Sequence, residues 1–340
     1  MSELTQNPVS PASLEPDSPE SVSPKQDSPA SDELFDCVIV GAGPAGLTGL
    51  EYLARFHRRA VVLGAKGPTP RLLYIDRTYN LPGYPNGVAG AAILARLREQ
   101  AQEYGGIVRE ETATDIDGRD GAFAVKLSSG ETLRARKIVL AMGIRDREPD
   151  IAGAHRHIGY FLRYCPVCDG YEHTDKQMGI IGSGESVARH ALFLRTFSSH
   201  ITVLLHGEKA ESLGKYRQKL DQSGIRVLEA RIGNIIETHD PSQQDPQLEY
   251  SGHGVCLEGG EEVALDVLYG ALGCNVNLDC AQNLALKLDE DGYVVTDIHQ
   301  QTCVEGVYAA GDLVSQINQI SVAMGQATVA AVRIHNELDE

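Results

Sequence analysis

A short apolar strand, a glycine-rich turn and a helix follow one another twice in this chain, and this repeat restricts the fold more than any other feature. The first copy has its strand at residues 37–40 and an apolar helix after residue 46. In this setting a Gly-x-Gly-x-x-Gly turn binds the pyrophosphate of a dinucleotide at the amino end of the helix. The predicted cofactor contacts in this turn are Gly41, Gly43, Pro44, Ala45 and Gly46.

The second copy begins with an apolar strand at residues 178–181, and a helix is predicted over residues 188–197. Its glycine turn supplies the predicted contacts to a second nucleotide, namely Gly182, Gly184, Glu185 and Ser186. Glu185 places a negative charge at a helix N-terminus, the end that favours phosphates. Together the two copies predict an α/β protein with two doubly wound, Rossmann-like nucleotide-binding domains.

Other segments continue this α/β pattern. Helices are predicted over residues 89–104 and 321–337, and strands over residues 60–63, 123–127, 132–135, 137–140, 201–205 and 306–310. No Asp or Glu follows the strand at 60–63 to hold a ribose hydroxyl, so the first turn identifies its nucleotide only by the phosphates. Ala141 and Gly143 follow the strand at 137–140, where small residues indicate either backbone close to a ligand or a plain turn.

The segment between the two copies contains Cys165, Cys168 and Asp169. A Cys-x-x-Cys pair can cycle between dithiol and disulfide, and the neighbouring carboxylate could carry the proton. The alternative is half of a zinc site, which requires a second pair of ligands. The other cysteines lack that spacing; they are Cys37, Cys256, Cys274, Cys280 and Cys303. Redox chemistry without a metal is the preferred interpretation.

Composition excludes several classes of partner. The 340 residues carry a formal net charge of −17, so binding to nucleic acid is not expected. No apolar run is long enough for a membrane helix, and the N-terminus lacks the pattern of a secretory signal. Residues 1–33 are rich in Ser and Pro and acidic, which predicts a disordered tail. We therefore expect a soluble cytoplasmic protein without a membrane partner.

In this order the motifs resemble those of the low-molecular-weight thioredoxin reductases, from residue 34 to residue 340. Beside the first glycine turn and the Cys-x-x-Cys-Asp-Gly segment, the matching residues are Asn80, Ala141, Gly143, Gly311, Asp312, Gln319 and Ile320. The resemblance implies that these residues hold FAD. It also implies that Cys168 lies next to the flavin, Cys165 attacks the substrate and Asp169 carries the proton.

The resemblance further implies a split FAD domain, at residues 34–146 plus 275–340, with the dithiol domain inserted at residues 147–274. It implies a homodimer and a protein or small-molecule disulfide or dithiol as substrate, with thioredoxin as one candidate.

The second nucleotide site departs from the family. Thioredoxin reductases of this type bind NADPH there through several arginines, but Gly207, Glu208 and Ser212 stand in those places. The forked donors that suit a 2′-phosphate are therefore missing, and NADPH is expected to be a poor reductant. In this respect the chain resembles the diflavin-linked disulfide oxidoreductases of cyanobacterial type, in which a second FAD occupies that site.

Other hypotheses stay open at this point. One is an NADPH-dependent thioredoxin reductase, in which Lys209, Lys215 and Arg217 could compensate for the missing arginines. The others are a ferredoxin-driven thioredoxin reductase and a dithiol oxidase. A non-enzymatic alternative is a flavin redox sensor that reports to a partner through the Ser/Pro-rich tail.

Overall fold

The computed structural model describes residues 34–65, 70–238, 252–314 and 317–339. The predicted disordered tail at residues 1–33 lies outside the described residues. In the described part, no helix is both long enough and apolar enough to cross a membrane.

The first sheet has seven strands from the two ends of the chain. They are β1 (Leu34–Val40), β2 (Ala60–Leu63), β3 (Ile107–Arg109), β4 (Ala113–Arg119), β5 (Ala122–Leu127), β6 (Thr132–Leu140) and β17 (Val307–Ala309). Strands β3, β2, β1 and β6 are parallel neighbours in that order. The first half of β6 pairs with β5 and its second half pairs with β17. The two strands predicted at 132–135 and 137–140 are therefore one strand that changes partner.

Three helices of this part are α1 (Pro44–Arg55), α2 (Gly90–Glu103) and α6 (Ile320–Asp339). Helix α1 starts with Pro at its first position and buries Leu47, Leu50 and Leu53, which recur at helical spacing on one face. These side chains belong to one core with Ala327 and Ala331 of α6. The close packing of α1 and α6 brings the start of α6 to the edge of the sheet where the first glycine turn lies.

The second sheet has five parallel strands, all from the middle of the chain. They are β8 (Leu162–Arg163), β9 (Met178–Gly182), β10 (Ile201–Leu204), β11 (Arg226–Leu228) and β15 (Val267–Ala271). The helices of this part are α3 (Pro166–Asp169), α4 (Gly184–Leu194) and α5 (Arg217–Gln222). The prediction of an α/β protein with one Rossmann-like unit inserted into another is confirmed.

Two further details of the prediction were wrong or incomplete. Helix α4 begins at Gly184 and not at residue 188, because Ser183 is already its extended N-cap, so Glu185 and Ser186 lie in its first turn. A three-stranded antiparallel sheet was missed, with β12 (Ile232–Thr238), β13 (Gly252–Leu257) and β14 (Glu262–Leu265). Glycines in β12 and β13 weaken the alternation that would have revealed it.

Two short antiparallel strands, β7 (Ile144–Asp146) and β16 (Cys274–Val276), connect the first and second sheets. The chain leaves the first sheet through β7 and returns through β16.

Candidate active site

A cavity of about 810 Å³ lies at the edge of the first sheet where the parallel strands end. Ten of the predicted cofactor residues line it: Gly41, Gly43, Pro44, Ala45, Ala141, Gly143, Gly311, Asp312, Gln319 and Ile320. The sheet topology explains this convergence, because β1, β6 and β17 are parallel neighbours and each ends at this edge.

The first glycine turn has room for a ligand at one position and none at two others. A side chain at Gly43 would find no atom within 4 Å. A side chain at Gly41, whose φ is +111°, would collide with the Ala141 carbonyl, and one at Gly46 would collide with the Gly41 carbonyl. Gly41 and Gly46 therefore permit close backbone packing, whereas Gly43 leaves an open space in front of the amino end of α1.

Arg71 is a cavity residue that the sequence did not reveal. Its guanidinium bonds both oxygens of Asp146, at 2.7 and 3.1 Å, and the carboxylate of Asp312, at 2.9 Å. Burial raises the pKa of Asp312, and the charge of Arg71 opposes that rise. Arg71 thus holds two carboxylates in place in the cavity wall, one of them in the connecting strand β7.

Cys165 and Cys168 form a disulfide at the start of α3. The Nε2 atom of Gln319 lies 3.4 Å from each sulfur. Asn80 does not line the cavity but donates to the Oε1 atom of Gln319 at 2.8 Å, and Thr78 in turn donates to Asn80. This chain of hydrogen bonds turns the amide N–H group of Gln319 toward the disulfide.

Asp169 is bonded to polar groups from β8, from β15 and from the turn after α3. Arg163 donates to one carboxylate oxygen at 2.9 Å, and the buried hydroxyl of Tyr269 donates to the other at 2.8 Å. The Nδ1 atom of His173 lies 2.8 Å from the Asp169 carbonyl and 3.4 Å from the Tyr269 hydroxyl. Burial, together with Asp169, raises the pKa of Tyr269 above its usual range, so this phenol remains a donor.

A second cavity of about 410 Å³ adjoins the first. Its wall includes Cys165, Cys168, Asp169 and His173. The disulfide therefore faces a second, partly open cavity in addition to its contact with Gln319.

At the second glycine turn, Gly182 ends β9, and Gly184, Glu185 and Ser186 form the first turn of α4. The Glu185 carboxylate points toward a 3-10 segment, Ala210–Tyr216, and lies 3.5 Å from the Nζ atom of Lys215. A methyl group at Gly214 would come within 3.1 Å of this carboxylate. Glu185 thus places a negative charge in the first turn of α4, and Lys215 is its ion-pair partner.

Over residues 35–327 the chain matches the family described as pyridine nucleotide-disulphide oxidoreductase. It belongs to this family. The thioredoxin reductase of Treponema pallidum (strain Nichols) is 28% identical over 303 residues, which cover 87% of this chain and 95% of that protein. A bifunctional thioredoxin reductase/thioredoxin of Mycobacterium leprae (strain TN) is 29% identical over 319 residues, which cover 92% of this chain and 67% of that protein.

A crystal structure of thioredoxin reductase from Streptococcus pyogenes MGAS5005 has the same fold, with a TM-score of 0.80 at 20% identity. The match covers 90% of this chain and 98% of that one. As a pyridine nucleotide-disulphide oxidoreductase similar to thioredoxin reductases, the chain is an enzyme, a flavin-dependent disulfide oxidoreductase.

The first cavity fits the FAD that this family uses. Its volume lies within the range of about 300–1,000 Å³ typical of cofactor sites. The space at Gly43 suits a pyrophosphate, and helix α1 has no acidic residue in its first turn to repel it. Asp312 would serve as an acceptor for ligand hydroxyl groups in the wall.

The sequence missed Arg71, Arg163, Tyr269 and His173. Arg163 and His173 flank the Cys-x-x-Cys segment closely enough to have been considered. Arg71 and Tyr269 carry no local signal, because each reaches its partner only through the fold.

Proposed function

We propose that this enzyme exchanges electrons between FAD and the Cys165–Cys168 pair, which reacts with the disulfide or dithiol of a substrate. The observation that carries the proposal is the bonding of both sulfurs to Gln319, a residue in the wall of the first cavity. When bound, FAD accepts or donates two electrons. The Gln319 amide N–H group would stabilise the thiolates that reduction of the disulfide produces.

In the exchange step, one thiolate attacks a sulfur of the substrate disulfide and the other resolves the mixed disulfide. The two enzyme thiols lose two electrons and two protons, and the substrate becomes two thiols. We assign the attack to Cys165, the position next to the flavin to Cys168 and proton transfer to Asp169. The contacts of Asp169 with Arg163 and Tyr269 support a fixed carboxylate next to the sulfurs.

The names of the relatives support thioredoxin as a protein substrate, and a small-molecule disulfide or dithiol is the alternative. We also propose that the boundaries of the inserted domain lie near residues 146 and 275, and we propose a homodimer and a cytoplasmic location.

For the electron source, we infer that NADPH is a poor reductant and that the second glycine turn binds no nucleotide with a 2′-phosphate. A second FAD, as in the diflavin branch of cyanobacterial type, is the proposed alternative occupant. Two carboxylates support this inference, Glu185 in the first turn of α4 and the exposed Glu208 after β10. Each carboxylate would repel a phosphate group bound there.

A second candidate is an NADPH-dependent thioredoxin reductase, which the names of the relatives favour. One structural observation also favours it. The side chain of Arg231 packs against Gly207, so the fold brings a cation to the end of β10 that the local sequence lacks. Lys215 next to Glu185 is a second cation.

The test counts the flavins bound per chain and then mixes the protein anaerobically with NADPH or NADH. We expect bound FAD and no rapid bleaching by micromolar NADPH. Cys165→Ser should abolish disulfide turnover and keep the flavin, whereas the control Cys256→Ser, at a free thiol in β13, should keep both. Full turnover by Cys165→Ser would refute the exchange proposal, and rapid bleaching by NADPH would select the second candidate.

A further inference from the structure

The second cavity has the size of a small-molecule site. Its volume of about 410 Å³ lies within the usual range of about 300–1,000 Å³ for such sites. Both cysteines line it, whereas neither belongs to the wall of the first cavity. A folded protein cannot enter a space of this size, but a small disulfide could reach the sulfurs through it.

Two parts of the chain build most of the walls of this cavity. One is the segment from Tyr74 to Tyr79 after the first sheet's β2, and the other is the segment from Ile158 to His173. A side chain at Gly159 would collide with the Tyr74 carbonyl, so the two backbones are in direct contact there. This contact forms one side of the cavity while the disulfide forms another.

The charged groups of the wall leave an excess of negative charge. Three arginines line the cavity against four carboxylates. Arg71 and Arg163 are paired with carboxylates, and Arg77 donates to two backbone carbonyls at 3.1 and 3.2 Å. Asp76 and Glu172 are exposed and make no ion pair or hydrogen bond with any residue that the structure describes.

The uncharged groups of the wall also suit a cation. Tyr74 and Tyr79 are each about half exposed, which leaves their rings available to a ligand. Aromatic faces attract ammonium groups. The Oδ1 atom of Asn318, at the boundary of the two cavities, is buried and accepts no hydrogen bond within the described part of the chain. Such an acceptor could bind an ammonium N–H group.

We propose that the second cavity binds the substrate itself, a small disulfide or dithiol that carries a positively charged amine. This inference rests on the proposed exchange at Cys165–Cys168 and specifies the substrate class of that site. The carboxylates of Asp76 and Glu172 and the rings of Tyr74 and Tyr79 select the cation.

The reaction with a disulfide is balanced by the enzyme dithiol. The Cys165 thiolate attacks one substrate sulfur, forms a mixed disulfide and expels the first substrate thiolate. The Cys168 thiolate then attacks Cys165, closes the enzyme disulfide and expels the second. The substrate gains two electrons and two protons, all of which come from the two enzyme thiols.

The experiment uses the full flavoprotein, reduced anaerobically with dithionite and freed from excess reductant. It is mixed with one of three disulfides of equal arm length: cystamine, bis(2-hydroxyethyl) disulfide or 3,3′-dithiodipropionate. Loss of enzyme thiols gives the rate, which is divided by the rate of dithiothreitol with the same disulfide to remove intrinsic reactivity. We expect the normalised rate to fall about fivefold from cystamine to the neutral disulfide, and about fivefold again from the neutral disulfide to the dicarboxylate. Each step is equivalent to about 1 kcal/mol.

The variants Glu172→Gln and Asp76→Asn should reduce the cystamine preference, and the distant control Glu262→Gln on β14 should keep it. Equal normalised rates for the three disulfides, or an unchanged preference in both variants, would overturn the inference. Oxidised thioredoxin is the reference substrate. If it reacts and the small disulfides show no preference, only the substrate assignment fails. If no disulfide reacts, the proposed function itself fails.

Discussion

At the first glycine turn, a side chain at Gly43 would find no atom within 4 Å, whereas at the second turn the Glu185 carboxylate lies against the segment Ala210–Tyr216. Both turns follow a central parallel strand and start a helix, and β1 and β9 hold the same position in their sheets. The amino end of α1 carries no acidic residue, but that of α4 carries Glu185. The shared topology gives both turns a place for phosphates, and the neighbouring charges make the second a poorer one.

Replacing a glycine in each turn should give the largest difference between them. Gly41 has φ +111°, and a methyl group there would collide with the Ala141 carbonyl. Gly41→Ala should therefore purify with little flavin, since strain alone costs roughly 1–3 kcal/mol and the collision adds to it. Gly184→Ala is strained as well, at φ +67°, but it makes no collision and does not line the first cavity, so the flavin there should remain.

Flavin absorbance per chain measures both variants. If a second FAD occupies the second turn, Gly184→Ala should lose that one and keep the other. A flavin-free Gly184→Ala together with a fully loaded Gly41→Ala would show that the roles of the two turns are reversed.

Changing charge at the second turn should make it more like a phosphate site. Glu185→Ser combined with Glu208→Arg removes two repulsive groups and adds one forked donor. We expect flavin reduction by NADPH to become about 10–100-fold faster, because one charged hydrogen bond contributes roughly 1.5–3 kcal/mol.

NADH serves as the internal control, since it lacks the 2′-phosphate and its rate should change far less. Equal acceleration with both nucleotides would indicate that the pyrophosphate contact at Glu185, and not the 2′-phosphate, was limiting.

The smallest expected effect is a pH dependence of stability that comes from His206, which follows β10 of the second sheet. Burial, together with the charge of Arg231, lowers the pKa of His206, whose Nδ1 atom accepts the Ile232 N–H at 3.0 Å. The folded protein thus keeps this imidazole neutral where the unfolded chain protonates it. The contribution of neutral His206 to the stability of the fold is complete above the unfolded pKa of about 6.5, and it is lost as the pH falls below that value.

His206→Asn should weaken this dependence, and Asn tolerates the positive φ of +51° at this position. Thermal unfolding midpoints between pH 8 and pH 5 for both proteins provide the measurement. Parallel midpoint curves for the two proteins would show that His206 does not contribute.

Local patterns predicted much of the fold. The strands and helices around both glycine turns are present, because strand and helix periodicity and the turn glycines are encoded within a few residues. The prediction was weaker where an element depends on its neighbours. Strand β6 was divided in two because its change of partner from β5 to β17 is set by a strand about 170 residues away.

The candidate site divides in the same way. Gly41 to Gly46 and the Cys-x-x-Cys pair are recognisable because their chemistry requires residues at fixed short spacing. Arg71 bonds Asp312 across 241 positions, and Tyr269 bonds Asp169 across 100. Loop closure and packing form such pairs, and neither leaves a signal in the local sequence.

By itself the sequence determined the Rossmann-like α/β class, the turn that suits FAD and the redox pair, since each is a short-range consequence of residue type and spacing. Only the tertiary structure decided that Gln319 bonds both sulfurs, that Arg71 joins Asp146 to Asp312, and that Lys215 lies next to Glu185. It also decided that the disulfide faces a second, acidic cavity. The physical reason is that each of these contacts joins side chains from segments well separated in the chain, which only the folded arrangement brings together.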